Sequence, residues 1–120
     1  MITIRPADEA FLKEIQAPPG TDAMVLRDSG GQVTGHAIFR MAGDRVELLS
    51  VTAEEPLLVD GLIRSVLNTG DCRGAVTGLC REESLALILR RLEFEPGEEG
   101  YTVSLAKFFR GECHCGEEKT

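Results

Sequence analysis

The C-terminal end of the chain carries the residues whose types and spacing are chemically most distinctive. Cys113, His114 and Cys115 are consecutive in the sequence. Thiolate and imidazole groups are the ligands of structural zinc sites, which need four of them in a tetrahedron. This tripeptide supplies too few ligands by itself, and no second Cys-x2-Cys pair accompanies it. A metal site, a disulfide and free thiols therefore all stay open as states of these cysteines.

Other titratable residues in the sequence are explained by structural roles. His36 lies in a predicted strand, and a lone histidine in a strand is more often a structural group than a base or a ligand. Glu54 and Glu55 come just before a predicted helix, where acidic side chains stabilise the positive end of the helix dipole. No Ser-His-Asp arrangement is visible.

The elements that must position these residues follow from the apolar pattern. Alternating or continuous apolar runs predict strands, and apolar residues three or four apart predict helices. The predicted strands cover 2–4, 23–27, 32–40, 45–51, 75–80 and 101–108, and the predicted helices cover 9–16, about 57–68 and 82–92. Gly70 is the predicted stop of the second helix. This order predicts an α/β protein with a mixed sheet, in which a right-handed crossover makes the fourth and fifth strands parallel.

Length and charge limit the class of protein. The chain has 120 residues, which suffices for one domain; we expect it at 1–110, followed by a polar, Cys-containing tail at 111–120. The net charge of −7 repels phosphate backbones, so nucleic acid is not an expected partner. No apolar run approaches the ~20 residues that span a bilayer, and the N-terminus lacks a signal-peptide pattern. We therefore expect a cytoplasmic protein without a membrane partner.

The order of elements and three short segments resemble the GNAT (Gcn5-related N-acetyltransferase) superfamily. The segments are Gly35-His36-Ala37, Glu47-Leu48-Leu49-Ser50-Val51 and Arg91-Leu92-Glu93-Phe94. They are similar to the family's G-x-A third strand, its L-x-V fourth strand and the Gly-Phe segment after its last helix. The resemblance covers nearly the whole chain. It implies a central, mostly antiparallel mixed sheet flanked by about three helices.

The resemblance also implies a site on the fourth strand. Glu47 lies where some family members have a carboxylate that deprotonates the amine acceptor; the alternative is an ion pair with Arg40 or Arg45. Leu49 and Val51 lie on the strand that contacts the family's acyl donor, acetyl-CoA.

The family's phosphate-binding loop is altered in this sequence. In the family, a Gln/Arg-x-x-Gly-x-Gly/Ala loop and the next helix N-terminus hold the CoA pyrophosphate. Only Gly61 could match one of these glycines. Pro56 supplies no N–H, and Glu54, Glu55 and Asp60 would oppose an anion. Two unit charges ~5 Å apart repel by roughly 3 kcal/mol at an effective dielectric constant of ~20.

Two further positions depend on the family topology. The tyrosine that protonates the leaving thiolate in many family members corresponds to Leu89, which cannot transfer a proton. The same topology would bring the tail near Cys72, so Cys72, Cys113 and Cys115, with the adjacent His114, form a candidate zinc set.

Three functions follow as hypotheses. The altered loop and Leu89 favour a non-catalytic binding or regulatory module, with no cofactor firmly expected. The first alternative is an N-acyltransferase that moves an acyl group from acyl-CoA to an amine with Glu47 as base. The second is a metal- or redox-linked protein centred on the C-terminal cysteines. A homodimer is an expected assembly for a small domain of this fold.

Overall fold

One mixed β-sheet organises residues 2–109, which are the residues that this computed structural model describes. The strands of the described part are β1 Thr3–Pro6, β2 Asp22–Arg27, β3 Val33–Ala42, β4 Arg45–Ala53, β5 Thr77–Cys80, β6 Glu95–Pro96 and β7 Tyr101–Ser104. The helices are α1 Glu9–Glu14, α2 Leu57–Cys72, α3 Ala86–Arg91 and α4 Leu105–Phe108, and a 3-10 turn, Glu83–Leu85, leads into α3.

The strand order within the sheet is β1-β2-β3-β4-β5-β7-β6. β4 and β5 are parallel because the long helix α2 returns the chain across one face of the sheet. All other neighbouring strands of the described sheet are antiparallel. The predicted mixed, mostly antiparallel sheet and its parallel crossover are therefore confirmed.

Helix α2 supplies much of the apolar core, because one of its faces is buried against the sheet. Its buried residues are Leu62, Ile63, Val66, Leu67 and Gly70. Gly70 was predicted to end the helix, but the helix continues to Cys72. A Cβ at Gly70 would lie 2.5 Å from the Cβ of Val46, so this glycine lets helix and sheet approach closely. Gly74, with φ of 97°, follows the end of the helix instead.

The opposite face of the sheet has a thinner cover. Phe11 of α1 packs edge-on against the ring of His36, with 5.8 Å between the ring centroids. Ala23, Val25 and Leu79 are buried there, outside the core cluster that α2 and α3 share. Among the described residues this face also holds the one buried charged side chain.

The last strand is shorter than predicted. It ends at Ser104, and the apolar residues after it form α4. The hydroxyl of Ser104 accepts a hydrogen bond from the N–H of Lys107 at 3.4 Å. A serine at this position satisfies a first-turn donor and so favours the start of a helix over continuation of the strand. The predicted tail, 111–120, lies outside the described residues.

No helix within residues 2–109 combines the length and the apolar character needed to cross a membrane.

Candidate functional site

A bulge in β4 separates this strand from β5. In the β3–β4 ladder, Ile38 faces Ser50 and Phe39 faces Leu48, so Leu49 is the extra residue of a β-bulge. The parallel β4–β5 ladder ends at the pair Leu48 and Cys80. Beyond that pair, residues 49–53 of β4 have no ladder partner on the β5 side within the described chain. We refer to this side of residues 49–53 as the open edge.

The backbone of the open edge has a defined hydrogen-bonding direction. The N–H of Glu54 donates to the carbonyl oxygen of Thr34 at 2.9 Å, which makes these two residues a hydrogen-bonded pair. Hydrogen-bonded and non-hydrogen-bonded pairs alternate along an antiparallel ladder. Val51 and Ala53 therefore direct their N–H and C=O groups away from β3 and into the open edge.

Gly35 supports this assignment. It faces Ala53 across the ladder, and a Cβ at Gly35 would lie 3.0 Å from the Cα of Ala53 and 2.7 Å from the carbonyl oxygen of Thr52. Non-hydrogen-bonded pairs are the closely spaced ones, with Cα atoms about 4.5 Å apart. Glycine is therefore required at position 35 by the close backbone of β4.

The open edge is suited to an extended ligand that carries amide groups. Val51 and Ala53 lie two residues apart, so their N–H groups repeat at about 6.6 Å along the strand. A chain of matching amides can bind such an edge as an added strand would. Leu49 and Val51 were predicted to contact the acyl donor. Val51 faces the open edge through its backbone, and Leu49 is the extra residue of the bulge.

The N-terminus of α2, which follows the open edge, presents few outward donors. Pro56 has helical φ and ψ of −56° and −30°, and no side chain caps the helix. The N–H of Leu58 donates to the carbonyl oxygen of Glu55 at 2.9 Å, and that of Val59 donates to Pro56 at 3.2 Å. These first-turn donors are therefore used within the chain.

The charges around this helix end are acidic. Glu54 and Glu55 are exposed, whereas Asp60 accepts a hydrogen bond from Arg64 at 2.7 Å, which offsets its charge. Gly61 lies inside α2 and faces β1, with the Cδ1 of Ile4 3.5 Å from the position of a Cβ. The open edge is thus open to an extended ligand with amide groups, while the acidic helix end disfavours an anionic group.

Glu47 is the buried charged residue of the sheet face opposite α2, with 5% of its surface exposed. Its Oε1 accepts from the Nε of Arg40 at 3.1 Å and from its Nη2 at 2.9 Å. The Nε of Arg81 lies 3.4 Å from its Oε2. A general base needs a lone pair directed at the proton that it takes. Both oxygens of Glu47 already contact guanidinium groups, so this geometry favours an anchoring role.

The ion pairs extend beyond Glu47 into a larger network. Arg45 pairs with Glu99 at 3.0 Å rather than with Glu47, and Arg81 also lies 3.5 Å from Glu99. We call Arg40, Arg45 and Arg81, together with their carboxylates Glu47 and Glu99, the guanidinium cluster. Arg40 was predicted from the sequence as a partner of Glu47, whereas Arg81 was not. Its position directly after the apolar strand β5, beside the strand that carries Glu47, was the available signal.

Leu89, the position that the resemblance assigns to the proton donor, lies in the apolar core. Leu89 has 0% exposure and packs in the shared cluster of α2 and α3. Tyr101 is largely buried on β7 opposite Cys80, and its hydroxyl donates to Glu83 at 3.2 Å. The hydroxyl of Tyr101 is therefore held at the end of β5, on a different element from Leu89.

Burial shifts two other titratable groups. Burial lowers the pKa of His36, so its imidazole is neutral at neutral pH. Burial is also the main cause that raises the pKa of the Cys80 thiol; the charges of Glu82 and Glu47 raise it further, against a backbone hydrogen bond that lowers it. Cys80 is therefore a protonated, unreactive thiol at neutral pH.

Within residues 2–109, no group of three or more His, Cys, Asp or Glu side chains could hold a metal ion. Cys72 is an exposed free thiol at the end of α2. Cys113 and Cys115 lie outside the described residues, so the zinc set stays a prediction.

Comparison with known proteins gives different results for sequence and for structure. No family model matches the sequence, and no curated protein matches it. Solved structures do match, among them the spermidine/spermine N-acetyltransferase SpeG from Vibrio cholerae in complex with manganese ions, at 10% identity and a TM-score of 0.70. That alignment covers 92% of this chain and 96% of SpeG.

Two further solved structures also match this fold. The GNAT family N-acetyltransferase YhbS from Escherichia coli, in complex with CoA, matches at 17% identity and a TM-score of 0.65, over 88% of this chain and 82% of YhbS. The IAA acetyltransferase from Bacillus cereus ATCC 14579 matches at 15% identity and a TM-score of 0.65, over 82% of this chain and 79% of that one. The chain has the GNAT fold. The GNAT fold predicted from the sequence is thereby confirmed, whereas identities this low leave the activity open.

Proposed function

We propose that this GNAT-fold chain is an N-acyltransferase that takes an acyl group from a pantetheine thioester, such as acetyl-CoA, and transfers it to an amine. The observation that carries the proposal is the open edge of β4, where the bulge at Leu49 ends the pairing with β5 and the amides of Val51 and Ala53 face outward. The acetyltransferases among the structural neighbours support the same choice.

The fold supports one orientation of the proposed donor. The helix end after Ala53 is the positive end of α2 and is the side nearest to any phosphate. The pantetheine arm would then run back along β4, and its thioester would lie near Leu49. The N–H of Val51 would be within reach of the arm or of the thioester carbonyl.

The reaction is a single acyl transfer. The amine nitrogen attacks the thioester carbonyl carbon, the new C–N bond forms and the C–S bond breaks, and sulfur leaves as a thiolate. The amine loses one proton and the thiolate gains one. A strand N–H beside the carbonyl oxygen would stabilise the negative charge that develops on it.

The chain supplies little acid–base chemistry for this step. Glu47 is engaged by Arg40 and Arg81, and Leu89 has no proton to donate. The acceptor therefore has to arrive as the free amine, and kcat/KM should rise with pH until the amine itself is deprotonated. A plateau near neutral pH would instead indicate that Glu47 leaves its ion pairs and acts as a base.

The donor's phosphates contribute little to its affinity. Glu54 and Glu55 are exposed at the helix end, and Leu58 and Val59 use their N–H groups internally. We expect S-acetylpantetheine to be used nearly as well as acetyl-CoA, within about a factor of ten in kcat/KM.

The test measures thiol release from acetyl-CoA and from S-acetylpantetheine across a panel of primary amines. Val51→Pro removes the outward N–H without removing a β3–β4 ladder bond, and Val51→Ala is the matched control that shortens the side chain but keeps the N–H. We expect Val51→Pro to lose at least tenfold in kcat/KM relative to Val51→Ala. Equal rates for the two variants, or no thiol release from either donor across the panel, would overturn the proposal.

A second candidate is the binding or regulatory module favoured by the sequence. The paired state of Glu47 and the acidic helix end support it. Binding of an acyl-CoA or of S-acetylpantetheine without turnover would favour this candidate over the transferase.

A further inference from the structure

We infer that the guanidinium cluster is the acceptor subsite and that it binds a carboxylate, so that the acceptor is an α-amino acid or a closely related amino carboxylate. This inference rests on the proposed N-acyltransferase function, because it names the substrate class for the same site. It is carried by the way in which Glu47 holds two arginine side chains.

The anchoring of the arginines has the form of a built site. Glu47 is buried, whereas the side chains of Arg40 and Arg81 keep 48% and 55% of their surface exposed. Glu47 thus contacts Nε and Nη2 of Arg40 and Nε of Arg81, while about half of the surface of each arginine side chain stays exposed. Ligand-binding groups are commonly oriented in this way by a carboxylate behind them.

The chemistry of these arginines matches a carboxylate. A guanidinium group has five N–H donors, of which Arg40 uses those on Nε and Nη2 for Glu47. Its planar fork pairs with the two oxygens of a carboxylate more specifically than a lysine would. Three arginines against two glutamates give the cluster a formal charge of 3 − 2 = +1, in a chain whose net charge is −7.

The position of the cluster suits an acceptor. Glu47 faces Leu79 in the β4–β5 ladder, and the next pair, Leu48 and Cys80, is the last one. Arg81 directly follows Cys80 in the sequence. The bulged residue Leu49 is two residues further along β4. A carboxylate held between Arg40 and Arg81 would thus place the neighbouring amine beside the start of the open edge, where the thioester is proposed to lie.

The same charges disfavour another class of acceptor. A polyamine carries several positive charges, and the guanidinium cluster has a formal charge of +1, with each of its two carboxylates in contact with two arginines. Like charges close together oppose binding by roughly the amount that opposite charges favour it. We therefore expect amino acids to be preferred to polyamines.

The first test is direct binding to the native protein, followed through the Nε–H resonances of its arginines in the ¹⁵N-labelled chain. The probes are the twenty standard amino acids, titrated separately, with methylamine and 3-methylbutylamine as analogues of glycine and leucine that lack the carboxylate. Spermidine is the polyamine probe. We expect at least one amino acid to shift the signals of Arg40 and Arg81 at millimolar concentration, and neither simple amine to do so.

Variants then assign the site. Arg81→Gln is expected to weaken amino-acid binding about tenfold, as for the loss of one charge-assisted hydrogen bond. Arg40→Lys keeps a charge beside Glu47 and should also weaken binding. Arg73→Gln is the matched control, since Arg73 is a comparably exposed arginine paired with Asp22 elsewhere.

Three results would overturn the inference. One is that no amino acid shifts Arg40 or Arg81 at 20 mM, which would leave the cluster as a purely structural tie between strands. The second is that Arg73→Gln weakens binding as much as Arg81→Gln. The third is that spermidine binds at the cluster more tightly than any amino acid.

The outcomes also separate this inference from the proposed function. Amino-acid binding at Arg40 and Arg81 without thiol release would support the subsite and count against the transferase. Thiol release with polyamines, but not with amino acids, would support the transferase and reject the subsite.

Discussion

Two residues of this chain hold backbone conformations that their types do not favour. Among the described residues other than glycine, Gln16 and Glu93 have positive φ angles, of 57° and 70°. Glu93 is the residue that stands where the GNAT superfamily has glycine before a phenylalanine. The backbone at Glu93 has a left-handed geometry, which glycine adopts freely and a residue with a Cβ does not.

We expect Glu93→Gly to stabilise the fold. A left-handed conformation costs a residue with a Cβ roughly 1–2 kcal/mol, and glycine loses part of that gain through its unfolded-state entropy. The expected net gain is about 0.5–1 kcal/mol, measured by urea unfolding. Glu95→Gly, on the exposed strand β6, is the control and should lower stability, so a loss in both variants would reject the strain at Glu93.

The neutral state of His36 predicts acid sensitivity. Burial lowers the pKa of His36 in the folded chain, so as the pH falls through about 6.5 the unfolded chain takes up a proton first. The stability due to this group is present above that pH and is lost below it. In His36→Gln, urea unfolding at pH 7.5 and pH 5.5 should therefore show a smaller acid-induced loss than in the native chain. An equal or larger loss would contradict the assignment.

At the scale of elements, a glycine in α2 and the bulge in β4 determine how these two elements are placed. The contact between Gly70 and Val46 fixes the depth at which α2 lies on the sheet. The bulge at Leu49 ends the pairing of β4 with β5 and directs two amides outward. These two features position the helix end and the open edge relative to each other.

Two glycines of α2 should respond oppositely to alanine. A Cβ at Gly70 would lie 2.5 Å from the Cβ of Val46, so Gly70→Ala should cost about 1–3 kcal/mol through overpacking. At Gly61 the nearest atom is 3.5 Å away, so Gly61→Ala should stabilise the helix by about 0.5–1 kcal/mol. Thermal unfolding of both variants tests this.

The tight contact can be isolated by a second substitution. In the double variant Gly70→Ala with Val46→Ala, the effects should be less than additive, because the smaller side chain admits the new methyl group. Strict additivity would mean that Gly70 does not limit the approach of α2 to the sheet.

At the scale of the whole molecule, the acidic charge acts on any anionic ligand. The net charge is −7, and the N-terminal end of α2, where the phosphates of the proposed donor would lie, carries Glu54 and Glu55. Exposed charges of one sign repel an anion over about a Debye length, and salt screens that repulsion. The guanidinium cluster is the local exception on the opposite face of the sheet.

This charge predicts an unusual salt dependence. Raising the ionic strength from 20 mM to 200 mM should strengthen the binding of CoA several-fold, whereas the binding of uncharged pantetheine should change little. Isothermal titration calorimetry of both ligands measures the difference. If salt weakens CoA binding, basic residues must contact its phosphates, and the poor fit of the helix end would be rejected.

The local patterns of the sequence were sufficient for most of the fold. The periodicity of the apolar residues predicted most of the strands and helices in their order along the chain, because side-chain burial imposes those periods wherever the chain meets the core. That order in turn predicted the parallel crossover. They failed at Ser104, where one capping hydroxyl favours a helix, and at Gly70, whose role is set by Val46, far from it in sequence.

The chemistry of the site depended on contacts that only the tertiary structure decides. The sequence alone determined the acidic charge, the proline at the helix start and the presence at position 89 of a leucine, which cannot transfer a proton. The two guanidinium partners of Glu47 come from β3 and from the end of β5, and the bulge at Leu49 appears only in the register of β3 with β4. Register and long-range ion pairs depend on which strands lie side by side. No spacing along the chain records them, and the sequence therefore identified Glu47 but not the arginines that hold it.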